Sequence, residues 1–188
     1  GSASLMWVKA GYVGAGTNTI SQIVDARTGD DSGLFNITDG TTTVSSAFRG
    51  MVDIRKAGAG TLVFTAVNTN NNNDALVISN GTLEIGGAGQ LNSGSFAGDV
   101  TNAGTFTYSS SANQTLSGVV SGAGNLTKSG NATLTLNGAN TYSGGTLVSG
   151  GVLAGDTTSL QGGMTNNATV MFDQSTNGTY AGAMSGTG

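Results

Sequence analysis

Apolar and polar residues alternate over short stretches, a turn signal intervenes, and the cycle recurs along most of the chain. The alternation predicts strands at Leu34–Ile37, Met51–Ile54, Thr61–Val67, Ala75–Ile78, Thr82–Ile85, Thr105–Tyr108, Thr115–Val120, Thr133–Leu136, Thr146–Val148 and Thr169–Phe172. Between them stand Asn80–Gly81, Ala103–Gly104, Asn137–Gly138, Ser143–Gly145 and Ser149–Gly151, residues suited to turns. No window carries a 3.6-residue apolar stripe with helix caps, so the chain reads as all-β.

The pattern repeats on a longer scale. Lys56 to Phe64 lies over Lys128 to Leu136, with Leu62 and Leu134 standing 72 residues apart. Ser79 to Leu83 lies over Ser149 to Leu153 at an offset of 70, and Gly98 to Phe106 over Gly162 to Val170 at 64. Leu116 to Gly124 matches Tyr180 to Gly188. This gives a division into residues 1–47, 48–115, 116–179 and a third copy begun at 180–188. Offsets that slide while strands persist imply loop insertions between stacked coils, and a unit of this length divides into three rungs of roughly 20 to 24 residues. The expectation is a β-solenoid of roughly eight rungs, rising about 4.8 Å per rung. Its open strand edges mark it as one section of a longer protein.

Composition agrees with a repetitive β-fold. Glycine supplies 33 of 188 residues, roughly 18% against an average near 7%, while charged residues are only 9%. With 37% hydrophobic residues and a net charge of −4, the chain still has enough apolar matter to fold. Proline is absent, which leaves every backbone N–H available to a ladder. Cysteine is absent too, as suits a chain exported unfolded through an oxidising compartment. Six scattered basic residues and an acidic balance exclude nucleic acid as a partner. No run of about twenty apolar residues offers a membrane span.

Residues 122–153 run GAGNLTKSGNATLTLNGANTYSGGTLVSGGVL. The keyed positions are Gly122, Gly124, Leu126, Lys128, Gly130, Thr133, Leu134, Leu136, Gly138, Asn140, Thr141, Tyr142, Gly144, Val148, Gly151 and Leu153. This segment resembles the passenger-associated transport repeat of bacterial autotransporters. An earlier, degenerate copy keeps Lys56, Gly58, Gly60, Leu62 and Phe64, with Val67–Asn68–Thr69 and an asparagine run where the Asn-Thr-Tyr-x-Gly turn stands in the later one. The resemblance implies a right-handed parallel β-helix in a type V secretion passenger, exported through the outer membrane by a C-terminal β-barrel of the same precursor and exposed on the cell surface. It implies a repeat that serves stability and export as a stalk or adhesin segment, a virulence-associated role. The partner would be a host surface or matrix component, or a second copy.

Candidate chemistry is sparse. Without histidine or cysteine there is no Ser-His-Asp triad, no Cys-His pair and no His-ligated zinc, so no catalytic residue, metal ligand or cofactor is expected and the chain is read as non-enzymatic. Asp25, Asp30, Asp31 and Asp39 fit no calcium-loop spacing and are read as solvated turns. Gly29–Gly33, with Ser32, is read as an acidic surface turn. The alternative to a scaffold is a fragment of a carbohydrate-binding or carbohydrate-degrading β-helix, which would need two of Asp53, Glu84, Asp99 and Asp156 facing across a groove. Thr-x-Thr pairs at Thr105/Thr107 and Thr133/Thr135 do not recur on every rung, as an ice-binding face would require. The run Asn70, Asn71, Asn72, Asn73 and Asp74 reads as an exposed binding loop between strands.

Overall fold

A computed structural model describes residues 12–20, 24–25, 33–49, 53–69 and 74–188. Every strand pairing among them is parallel, and the chain coils so that each strand lies on the one before it. Three faces result. The first stacks Tyr12–Gly14, Gly33–Ile37, Ile54–Ala57, Leu76–Ile78, Val100–Asn102 and Val120–Ser121. The second, the longest, stacks nine strands: Thr17–Ile20, Thr41–Val44, Thr61–Phe64, Thr82–Ile85, Thr105–Tyr108, Asn125–Lys128, Thr146–Val148, Met164–Asn166 and Met184–Ser185. The third stacks Ser95–Phe96, Gln114–Leu116, Thr133–Leu136, Val152–Gly155 and Thr169–Phe172. A short pair, Val24–Asp25 with Phe48–Arg49, completes the sheets. The fold is a β-solenoid of about seven turns, close to the expected eight. The only helix among the described residues is the single 3-10 turn Asn92–Gly94.

Coil length follows from the register. Thr61 pairs with Thr82, Thr82 with Thr105, and Thr105 with Asn125, so successive coils are 21, 23 and 20 residues long. Alternation decides which side chains enter. On the second face Leu62, Leu83, Phe106 and Leu126 form one interior column, and Phe64, Ile85, Tyr108 and Lys128 a second. Leu134, Leu136, Leu153 and Phe96 close the interior from the third face, and Leu76, Ile78 and Val100 from the first. Each is essentially inaccessible to water, so stacking removes apolar surface worth about 25 cal/mol per Å².

Three predicted strands are shorter than expected, Ala75–Ile78 by its first residue alone. Thr115–Val120 is divided into Gln114–Leu116 and Val120–Ser121 by a corner at Gly118, where the chain passes so close to the Gly98 carbonyl of the coil below that a side chain would collide with it. Thr61–Val67 ends as a continuous strand at Phe64, and Val67 keeps only an isolated parallel bridge to Gln90. Met51 and Val52 lie outside the described residues, and the strand expected there runs Ile54–Ala57.

The two copies of the repeat do not sit on the same faces. Ile54–Ala57 and Thr61–Phe64 occupy the first and second faces, whereas Asn125–Lys128 and Thr133–Leu136 occupy the second and third. From Ile54 the first face climbs through Leu76 and Val100 to Val120, and Asn125 then opens the next face. The offset is therefore three coils plus one face rather than three whole coils. The shift preserves the interior: Phe35–Lys56–Ile78–Asn102 stack in register on the first face, and Tyr108–Lys128–Val148–Asn166 on the second. Aromatic, lysine, aliphatic and asparagine thus recur in one order on different faces. Glycine corners join both pairs of faces, so one sequence turns equally well at either.

Candidate functional site at the coil corners

Leu126-x-Lys128 lies on a strand whose alternate residues point inward, so the lysine enters the interior with the leucine. Both repeat lysines are 0% exposed. Lys56 Nζ donates to the carbonyls of Ala57 and Gly58, both at 2.8 Å, and to Asn80 of the next coil at 3.1 Å. Lys128 Nζ donates to Gly130 in its own corner and to Gly150 of the next coil at 3.1 Å, with the Tyr108 ring of the preceding coil 6.0 Å away. Burial pulls the Lys56 ammonium from an ordinary 10.5 down to about 8, and lowers Lys128 for the same reason. Oriented carbonyls replace the water each ammonium has lost. Corner glycines make this possible: Gly58 and Gly151 have φ of +77° and +62°, and a side chain at Gly58 would strike the Ile37 carbonyl.

The Asn-Thr-Tyr segment solves another problem. After Val120–Ser121 the first face has no further strand, and Asn137 to Gly145 passes through that position as irregular chain. Asn140 takes over the ladder. Its Oδ1 accepts the Val120 N–H of the coil below at 2.7 Å, and its Nδ2 donates to the Ser159 carbonyl of the coil above at 2.7 Å. The Tyr142 hydroxyl accepts the Gln161 N–H at 3.0 Å. Thr141 and Ser143 donate their N–H groups to Val120 and Gly122. In the earlier copy Asn68, 72 positions before Asn140, is also fully buried, and its N–H bonds the Gln90 carbonyl. The degenerate copy has therefore kept the asparagine while losing the tyrosine. On the third face Gln114 makes a similar bridge, accepting the Leu91 N–H and donating to the Leu91 carbonyl.

The other motif residues complete these corners. Leu126, Leu134, Leu136, Val148 and Leu153 line the interior, while side chains at Gly124, Gly138 and Gly144 would collide with carbonyls of the preceding coil. The carboxylates are held as caps. Asp53 accepts the Ala75 N–H at 3.0 Å and pairs with Arg55 at 2.9 Å, Asp99 accepts the Val119 N–H at 2.8 Å, and Glu84 accepts from the Ser109 hydroxyl. The Thr158 hydroxyl and the Ser159 and Thr158 N–H groups hold Asp156 below the usual carboxylate range. Asp39 accepts the Gly16 N–H. Among the described residues no three histidine, cysteine or acidic side chains are grouped to hold a metal ion. Asn70 to Asn73, Asp30, Asp31 and Ser32 lie outside the described residues; Asp74 is partly buried, with its carbonyl beneath Gly98.

The outer side of the second face is lined by threonines. Thr17, Thr41, Thr61, Thr82 and Thr105 form one column, and Thr19, Thr43, Thr107, Thr127 and Thr165 occupy another, interrupted by Val63, Glu84 and Leu147. Thr105 and Thr107 thus share a face with other pairs, whereas Thr133 and Thr135 stand on the third. Where the first column shrinks to Gly145 and Gly163, a shallow hollow of about 370 Å³ opens beside Leu147 and Thr165.

Parallel coils locked corner to corner by buried lysine and asparagine define a repeat-built β-solenoid whose distinctive residues join coil to coil. Residues 54–85 and 126–154 match the family model of the passenger-associated-transport-repeat, the two stretches that hold the buried lysines. Comparison with curated proteins and with solved structures found no match.

Proposed function

We propose that this chain is a non-catalytic section of an autotransporter passenger, a surface stalk whose transport repeats stabilise the rod and assist its export through the outer membrane. The observation that carries the reading is the use of the motif's polar residues. Lys56, Lys128, Asn140 and Tyr142 all bond the coil next to their own, and the carboxylates at Asp53 and Asp99 bond backbone N–H groups of the following coil. Chemistry used in this way supports a scaffold over a carbohydrate-acting β-helix.

Coils that bond their neighbours can fold one at a time, since each new coil is complete once it docks. A rod that folds outside the cell in this manner resists back-diffusion and helps to draw out the remaining chain. The C-terminal β-barrel of the same precursor is the export partner in this reading, and the cell surface is the destination. Adhesion, to a host matrix component or between copies, belongs to the outward surface, for which the threonine-lined face is a candidate.

Secretion of a passenger carrying Leu134→Asp and Leu136→Asp tests the export role. Surface display should fall severalfold while synthesis stays normal, and undiminished display of a folded passenger would refute it. Purified chain applied to immobilised matrix proteins and to itself tests adhesion.

A further inference from the structure

Short, glycine-rich strands specify their pairing weakly, and a slip of two residues keeps every side chain on its own side of the sheet. Asn125–Lys128 under Thr146–Val148 is a short pair bounded by Gly124 and by Gly144–Gly145: a two-residue slip would set Leu126 beneath Val148, or Lys128 beneath Thr146, with the same side chains still facing the interior. The ammonium distinguishes these registers. Lys128 Nζ reaches the Gly150 carbonyl only because Val148 lies directly above Lys128, with the corner Ser149–Gly151 just beyond. A two-residue slip would carry that corner about 6.7 Å along the strand, leaving the ammonium with its own Gly130 carbonyl inside an otherwise dry coil. Lys56 stands in the same relation to Asn80, on another face and between other coils.

We infer that Lys56 and Lys128 are register-setting residues, each admitting the following coil in one alignment by completing its ammonium's shell on that coil's corner carbonyl. An apolar side chain of the same length fills the space but loses the discrimination, and replacing a buried charge with an apolar group often leaves stability unchanged or raised. The inference is independent of whether the rod is exported or adhesive.

The chain has no cysteine, so introduced pairs report register directly. Thr127→Cys with Leu147→Cys are partners in the observed register, at a separation a disulfide spans. Asn125→Cys with Leu147→Cys are diagonal neighbours about 8 Å apart, beyond disulfide reach unless the upper coil slips. With Lys128 present, oxidation should close the first pair and leave the second open. In Lys128→Met, closure of the diagonal pair should rise on the order of tenfold, corresponding to loss of about 1.4 kcal/mol of discrimination. Leu134→Ala, which destabilises the same region without touching the ammonium, should lower the melting temperature yet leave the diagonal pair open. If that pair stays open in folded Lys128→Met and Lys128→Gln, or closes equally in Leu134→Ala, the inference fails. It fails also if Lys128→Met does not fold, since the lysine would then supply stability itself.

Discussion

At the scale of single residues, the lesson concerns polar groups used where apolar ones are usual. Asn140 occupies a place where a strand would otherwise supply an N–H and a carbonyl, and it supplies both from one amide. Asn140→Ala leaves the buried Val120 N–H without its acceptor, so urea unfolding should register a loss of about 1–3 kcal/mol. Tyr142→Phe removes only one neutral hydrogen bond and should cost about 1 kcal/mol. The lysines carry a pH signature. With Lys56 near 8 in the folded chain and 10.5 when unfolded, both states are protonated below pH 8 and the burial penalty applies in full. Between pH 8 and 10.5 the unfolded chain holds the extra proton, so stability rises with pH. Chemical denaturation across that window should show the rise, and Lys56→Met should flatten it.

At the scale of strands and corners, alternation located the ladder and glycine located its bends. Thr82–Ile85, Thr105–Tyr108, Thr133–Leu136 and Thr146–Val148 fall where the pattern puts them, because one side faces apolar neighbours and the other faces water. Strand ends were harder, since Gly118 turns a corner inside what reads as one run. The buried lysine was legible in principle: the parity of Leu126-x-Lys128 sends both side chains inward, against the habit of lysine to stay exposed. The bridges of Asn140 were not legible, because their partners stand about twenty residues away on either side and only the coil length brings them together. Leu134→Ala would open a cavity between Gln114 below and Leu153 above, with a loss of about 2–5 kcal/mol by thermal or urea unfolding.

At the scale of the whole molecule, stability is distributed along an axis, because each coil touches only those above and below it. Protection against amide exchange should therefore be highest in the central coils, around Phe106 and Tyr108, and fall toward Thr169–Phe172, where Met171 and Phe172 are 47% and 38% exposed. Exchange read by mass spectrometry would check this gradient, and a single uniform value throughout would contradict it. Leu134→Ala should raise exchange in its own coil and the two adjoining coils before it affects residues 54–64. The same linear arrangement explains why the sequence shows three coils per unit and hides the additional face: distance along the chain is blind to azimuth.

The displacement of the second repeat by one face gives the rod a handed surface pattern. The outward residues of the seam at 137–145, Thr141 and Ser143, stand on the first face, while Val67 and Thr69 of its counterpart stand beyond the second. A neighbour approaching from one direction meets one copy's seam and the flank of the other, so the two repeats present different sides of the shaft.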